Sequence, residues 1–215
     1  MLWDYLAARG VKMSVIGGIP ATIRYARDLP HKEGGRLTHT GPAMVTAIGR
    51  DKILGVHRTW ITRKARARHA DGRKVSKQWI GRTGELMGQP AVLCDPRSGV
   101  VVGEGLETTL AAWSGLVRAG HQEWCAEAAL SRGAITGPVT HSDKLWTPRP
   151  EVTDVLILGE GSKKNPAEAR QLYEGARDRL MALGLNVLLR VPHNRWDWDA
   201  DFADVALDDL DSERK

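Results

Sequence analysis

Two cysteines, one phenylalanine and no long apolar run set the first limits on this chain of 215 residues. Cys94 and Cys125 are too few and too far apart in sequence for a disulfide framework or a four-ligand zinc site. They read instead as small buried hydrophobes. The expected compartment is therefore a reducing cytoplasm. No apolar stretch approaches the roughly 18 residues that cross a bilayer, so neither a membrane-spanning helix nor a membrane partner is expected. Residues 1–10 carry an acid and no apolar core of signal length, and no secretory signal is expected. The seven histidines are scattered without metal-ligand spacing. Residues 159–165 are rich in glycine and lysine but lack the Gly-Lys-Ser/Thr ending of a P-loop.

Hydrophobic residues at 42% and charged ones at 27% can build a core, so wholesale disorder is excluded. The length suits one or two small domains. Eight Trp serve either a core or a surface on which bases stack, and composition does not choose. Charge is uneven within a net of +5. Residues 56–83 hold nine basic side chains (Arg58, Arg63, Lys64, Arg66, Arg68, Arg73, Lys74, Lys77 and Arg82) against Asp71 alone. Residues 196–213 hold eight acids and no Lys or Arg. The first segment suits a polyanion and the second a cation, with a solvated loop and an acidic tail as the plain alternative.

Periodicity predicts a helix over 2–8, a turn at 17–20, a short strand at 23–25 and a loop over 28–41. Strands follow at 43–48 and 53–61, paired as a hairpin across 49–52. Residues 62–77 lack apolar periodicity and read as an exposed, mobile basic loop. After a short strand at 91–93, turn chemistry at 95–99 marks a boundary between an N-terminal α+β domain (1–99) and a second domain (100–215). The second half alternates strand (100–103), helix (106–119), strand (123–130), strand (152–158), helix (166–183) and strand (186–191). Its short continuous apolar strands argue a parallel α/β sheet flanked by helices. Leu110, Trp113 and Val117 mark the buried face of the first helix, and Leu172, Tyr173, Ala176, Leu180 and Leu183 that of the second.

Sites in such sheets form at the carboxyl ends of strands. Glu104, Glu160 and the pair Asp201 and Asp204 all fall there. Mg²⁺ is held by one or two carboxylates plus phosphate oxygens, and carboxylates converging on one sheet edge suit that chemistry.

Residues 101–111, Val-Val-Gly-Glu-Gly-Leu-Glu-Thr-Thr-Leu-Ala, resemble the signature of the Toprim domain as found in phage and plasmid DNA primases. Residues 42–45 and 55–61 are similar to segments preceding that domain. Residues 129–133 resemble its second strand and turn, and 201–205 its late acidic motif. The resemblance implies a Toprim-like parallel sheet and nucleotide transfer with Mg²⁺ or Mn²⁺. It implies single-stranded DNA or a primer–template as ligand, with a helicase or another replication protein as partner. Glu104 would match the catalytic glutamate, Gly105 the tight turn after it, and Asp201 and Asp204 the late acidic pair.

The departure lies at 159–164. There the family places Asp-x-Asp, and this chain reads Gly159-Glu160-Gly161-Ser162-Lys163-Lys164. Glu160 would stand for the first aspartate as catalytic and metal-binding residue. Ser162 is no charged ligand, and Lys163 and Lys164 bring positive charge, so weak metal binding is expected. The zinc module common in such primases is absent from the sequence.

Nucleic-acid contacts are expected from Arg58, Arg63, Lys64, Arg66, Arg68, Arg73, Lys74, Lys77, Lys163 and Lys164. Trp60 is either core or stacking surface, and Trp196 and Trp198 either an edge or an interaction element. Three functions follow: a primase-type nucleotidyltransferase, a Toprim-derived binding or regulatory protein without catalysis, and a Toprim nuclease. The nuclease ranks last because no histidine is expected near the acids.

Overall fold

The computed structural model describes residues 1–137, 144–199 and 201–205. The chain is mixed α/β with two sheets. The first is antiparallel, in the order β1 (Ile23–Glu33), β2 (Arg36–Ile48), β3 (Gly55–Trp60) and β4 (Gln78–Gly81). The second has the order β5-β7-β6-β8-β9, from β5 (Ala91–Val92), β6 (Gly99–Gly103), β7 (Trp124–Ala128), β8 (Asp154–Leu158) and β9 (Asn186–Arg190). Strands β6 to β9 run parallel, and β5 pairs antiparallel with β7 at one edge. Helices are α1 (Leu2–Ala7), α2 (Thr83–Leu86), α3 (Leu106–Arg118), α4 (Arg132–Thr136) and α5 (Pro166–Met181). None of the described helices is long and apolar enough to cross a membrane.

Alternation along the strands decides the layers. On β6, Val101 faces α1 and α3, in one core with Leu6, Leu106 and Leu110. Its neighbours Val100 and Val102 face α4 and α5, in a second core with Ile135, Tyr173 and Leu180. Both faces of the sheet are covered, which is why its strands read as unbroken apolar runs. On α5 the inward face is Ala169, Tyr173, Ala176 and Leu180. Leu183, expected inward, lies past the helix end and is exposed. On α3, Leu110 and Trp113 are buried as expected, while Val117 is half-buried at the helix end.

The loop expected over residues 28–41 is instead the long hairpin β1–β2. Gly34 and Gly35, at φ of 55° and 82°, make a two-residue turn that only glycine enters at little cost. Pro30 is tolerated because β1 is an edge strand. The mobile loop expected over 62–77 is likewise folded back as a small hairpin. Its bridges are Ile61 to Arg66 and Arg68 to Lys74. Ala67 and Val75 are buried with Ala43 and Trp60 in a small core of their own. Two alanine-sized and valine-sized anchors suffice there, too few to show as periodicity. Trp60 is core: it is fully buried and its indole N–H donates to the Leu29 carbonyl at 2.8 Å.

The boundary expected at 99/100 falls within β6, between its first two residues and inside the second sheet. Residues 2–13 also pack on that sheet, through Leu2, Tyr5, Leu6, Val11 and Met13.

Candidate functional site

Strands β6 and β8 are parallel neighbours, Val102 beside Ile157. The chain leaves β6 toward β7 on one side and returns to β8 on the other, so the crevice beyond their carboxyl ends is a topological switch point. Glu104 follows β6 and Glu160 follows β8, and both line a cavity of about 370 Å³. Gly103, rather than Gly105, is the glycine the turn needs. A Cβ on Gly103 would lie 2.8 Å from Thr109 Oγ1, whereas Gly105 sits at an ordinary φ of −91°. Leu130, on the cavity rim, is held at a φ of 65°, a strained backbone of the kind that clusters at functional sites.

Glu160 is the cavity acid whose charge is disfavoured. Burial, then the nearby carboxylates of Glu104 and Asp201, push its pKa up to about 7, against the pull of Lys77 and Arg132. Asp201 is already engaged: its Oδ2 accepts from Arg9 at 3.0 Å. Its Oδ1 accepts the backbone N–H of Ala203 at 2.7 Å and of Asp204 at 3.1 Å, which caps the helical turn over 202–205. Asp204 Oδ2 accepts the Asp201 N–H at 3.0 Å in return, a reciprocal cap. The late acidic pair is thus also the start of a helix, tied to the N-terminal segment through Arg9.

Glu107, in the first turn of α3, is a cavity residue that sequence reading passed over. It is buried, accepts the Tyr5 hydroxyl at 2.6 Å and pairs with Lys77 Nζ at 3.5 Å. Burial alone would raise its pKa, but Lys77, Tyr5 and Arg9 outweigh it and hold it at about 2. The signal was present as an acid in the first turn of the helix that follows Glu104.

The basic residues divide. Lys64, Arg66, Lys74 and Lys77 line the cavity together with the acids, Lys77 in an ion pair with Glu107. Arg63, Arg68 and Arg73 lie on the outside of the hairpin, where Arg63 pairs with Asp4 and Arg73 with Asp71. Arg68 donates to the Gly72 carbonyl. Arg58 sits on β3 outside the cavity wall, its Nε buried without a hydrogen-bond partner. Lys163 and Lys164 are exposed and outside the cavity. Ser162, at the second position of the altered acidic motif, accepts the Asn165 N–H at 3.2 Å just before α5. The loop is covered by 195–199: Ser162 N–H donates to Trp196 O at 2.7 Å and Lys163 N–H to Asp199 Oδ1 at 2.8 Å. Trp196 packs partly buried toward Tyr173, and Trp198 is exposed under Arg195 and His193.

One histidine does stand in the cavity wall, against expectation. His57 is buried there, and burial followed by Lys77 pushes its pKa down to about 4. It is a neutral imidazole at pH 7 and shares the cavity with the acids.

The family model for a domain of unknown function (DUF7146) matches residues 1–86. That segment supplies Tyr5, Arg9, His57 and the basic wall, and it ends with α2, before the acidic sheet edge. No curated protein and no solved structure matches the chain.

Proposed function

We propose that this chain is a nucleic-acid-binding protein of Toprim primase type, whose cavity takes a phosphate-bearing end of DNA. The observation that carries this reading is the two-sided cavity. Lys64, Arg66 and Lys74 of the basic hairpin line it together with Glu104, Glu160 and Asp201, which come from segments distant in sequence. Cations on one wall suit phosphate oxygens. Carboxylates at a switch point on the other suit a hard cation.

The residues fit Mg²⁺. Glu104 and Glu160 offer hard oxygen donors, and the burial and carboxylate repulsion that raise Glu160 are what a bound cation would offset. When bound, the ion would neutralise phosphate charge and stabilise the developing charge of phosphoryl transfer. Lys64, Arg66 and Lys74 would hold the polyanion's backbone, Arg9 fixes Asp201, and Lys77 with Tyr5 holds Glu107 ionised. A second reading, binding without transfer, is supported by the use of Asp201 in an Arg9 ion pair and of Ser162 ahead of α5.

The experiment is fluorescence anisotropy on single-stranded DNA and a primer–template, followed by nucleotide incorporation with Mg²⁺ or Mn²⁺. Salt-dependent binding with incorporation that Glu104→Gln abolishes supports the transferase. Binding without incorporation in the wild type supports the second reading. Absence of salt-dependent binding refutes both.

A further inference from the structure

Away from the cavity, the β1–β2 hairpin and the basic hairpin bring together three of the histidines that look scattered in sequence. His31 and His39 are cross-strand partners on β1 and β2. His31 is fully buried, its ring edge-on to Trp60 at 4.6 Å between centroids. His69, from the basic hairpin, lies 5.8 Å from the His31 ring and 6.2 Å from that of His39. One ligand atom each from His31, Glu33 and His69 lie within 4.8 Å of one another.

His31 Nδ1 is 2.6 Å from Thr38 Oγ1 and its Nε2 is 2.9 Å from Ser76 Oγ, which donates to Glu33 Oε1 at 3.1 Å. The Nε2 atoms of His39 and His69 are buried with no hydrogen-bond partner. Unpartnered imidazole nitrogen and a carboxylate converge here, as they do around a cation.

We propose that His31, His69 and Glu33 form a Zn²⁺ site that clasps the basic hairpin to the β1–β2 hairpin. Two imidazoles and a carboxylate are a borderline-soft ligand set suited to zinc rather than to Mg²⁺. With Thr38 Oγ1 accepting from Nδ1, the His31 ring would present Nε2 to the metal in place of Ser76 Oγ. Tetrahedral zinc places ligand atoms roughly 3.4 Å apart, so the three close by about an ångström, led by the partly exposed Glu33. The fourth position is left to water. The clasp stands independently of any nucleic-acid role.

The test uses the full chain, stripped with EDTA and titrated with Zn²⁺ and then Co²⁺. The expected result is one Zn²⁺ per chain, undisplaced by excess Mg²⁺, and tetrahedral visible bands with Co²⁺. Zn²⁺ should also slow proteolysis between 62 and 77. His31 is core, so the variants are His69→Gln and Glu33→Gln, with circular dichroism to confirm folding. Each should weaken Zn²⁺ binding more than about tenfold. Failure to bind Zn²⁺, or binding that neither variant alters, overturns the proposal. The second result would place the metal at the cavity acids or at Cys94 and Cys125.

Discussion

The acidic and basic walls of the cavity are built in opposite ways. Glu104 and Glu160 sit at the ends of adjacent buried strands, so the backbone ladder positions them. Lys64, Arg66 and Lys74 sit on a small hairpin whose own core is Ala43, Trp60, Ala67 and Val75. The acidic wall inherits the rigidity of a sheet covered on both faces, while the basic wall depends on a few anchors. A site that must admit a polymer is well served by one fixed wall and one cheaper to move, since regions with few buried apolar contacts open at the lowest free energy.

The largest test of that contrast is Trp60→Ala. Removing a fully buried Trp costs about 3–5 kcal/mol. The loss should appear as an earlier urea midpoint together with rapid proteolysis of 62–77. An equally placed Leu110→Ala should instead destabilise the parallel sheet and leave the hairpin's protection unchanged relative to global stability. Equal hairpin loss in both variants would show that the two walls fold as one unit.

The acids themselves supply the next contrast, because Glu107 and Glu160 are shifted in opposite directions. Glu107, depressed to about 2 from 4.5, adds stability that is present above pH 4.5 and is lost as pH falls toward 2. Glu160, raised to about 7 from 4.5, costs stability progressively as pH rises from 4.5 through 7. At about 1.4 kcal/mol per pKa unit, each is worth up to about 3 kcal/mol. Urea unfolding across pH should show Glu107→Gln flattening the acid limb. Glu160→Gln should flatten the neutral limb and be more stable than wild type at pH 8. If Glu160→Gln gains nothing at pH 8, burial and the neighbouring carboxylates do not penalise the Glu160 charge as described. Added Mg²⁺ should stabilise the wild type at pH 8 more than Glu160→Gln.

The basic wall can be sharpened by comparing two triples. Lys64→Ala, Arg66→Ala and Lys74→Ala together should flatten the salt dependence of DNA binding by roughly 0.7 log units per phosphate contact on a single strand. Arg63→Ala, Arg68→Ala and Arg73→Ala, on the outer side, should flatten it less. Equal slopes would mean that the polyanion runs over the outside of the hairpin and not through the cavity. The smallest effect is expected from Lys163→Ala with Lys164→Ala. Both are exposed beyond the cavity, and affinity should change by less than about twofold.

Much of the second sheet was legible in the sequence. Val100 to Val102, residues 154–158 and the Asn165-Pro166 helix start each report local physics: burial on two faces, and a first helical position that needs no N–H. The positions of Glu104 and Glu160 at strand ends followed from the same pattern. The long β1–β2 hairpin was not legible, since residues 28–41 carry polar and glycine residues on an edge strand that has one weakly buried face. The folded basic hairpin was hidden for a related reason, because Ala67 and Val75 are its only deep anchors.

The chain's own sequence determined a parallel α/β sheet with acids at its strand ends, an excess of cations over 56–83, and too few cysteines for a disulfide scaffold. These depend on composition and short-range spacing. Only the tertiary structure decided which cations face the acids, that Arg9 holds Asp201, that Glu107 and His57 belong to the cavity, and that His31, His39 and His69 meet. Those pairings join residues from some 8 to 190 positions apart. Their encounter is set by how strands pair and layers stack, which no local period encodes.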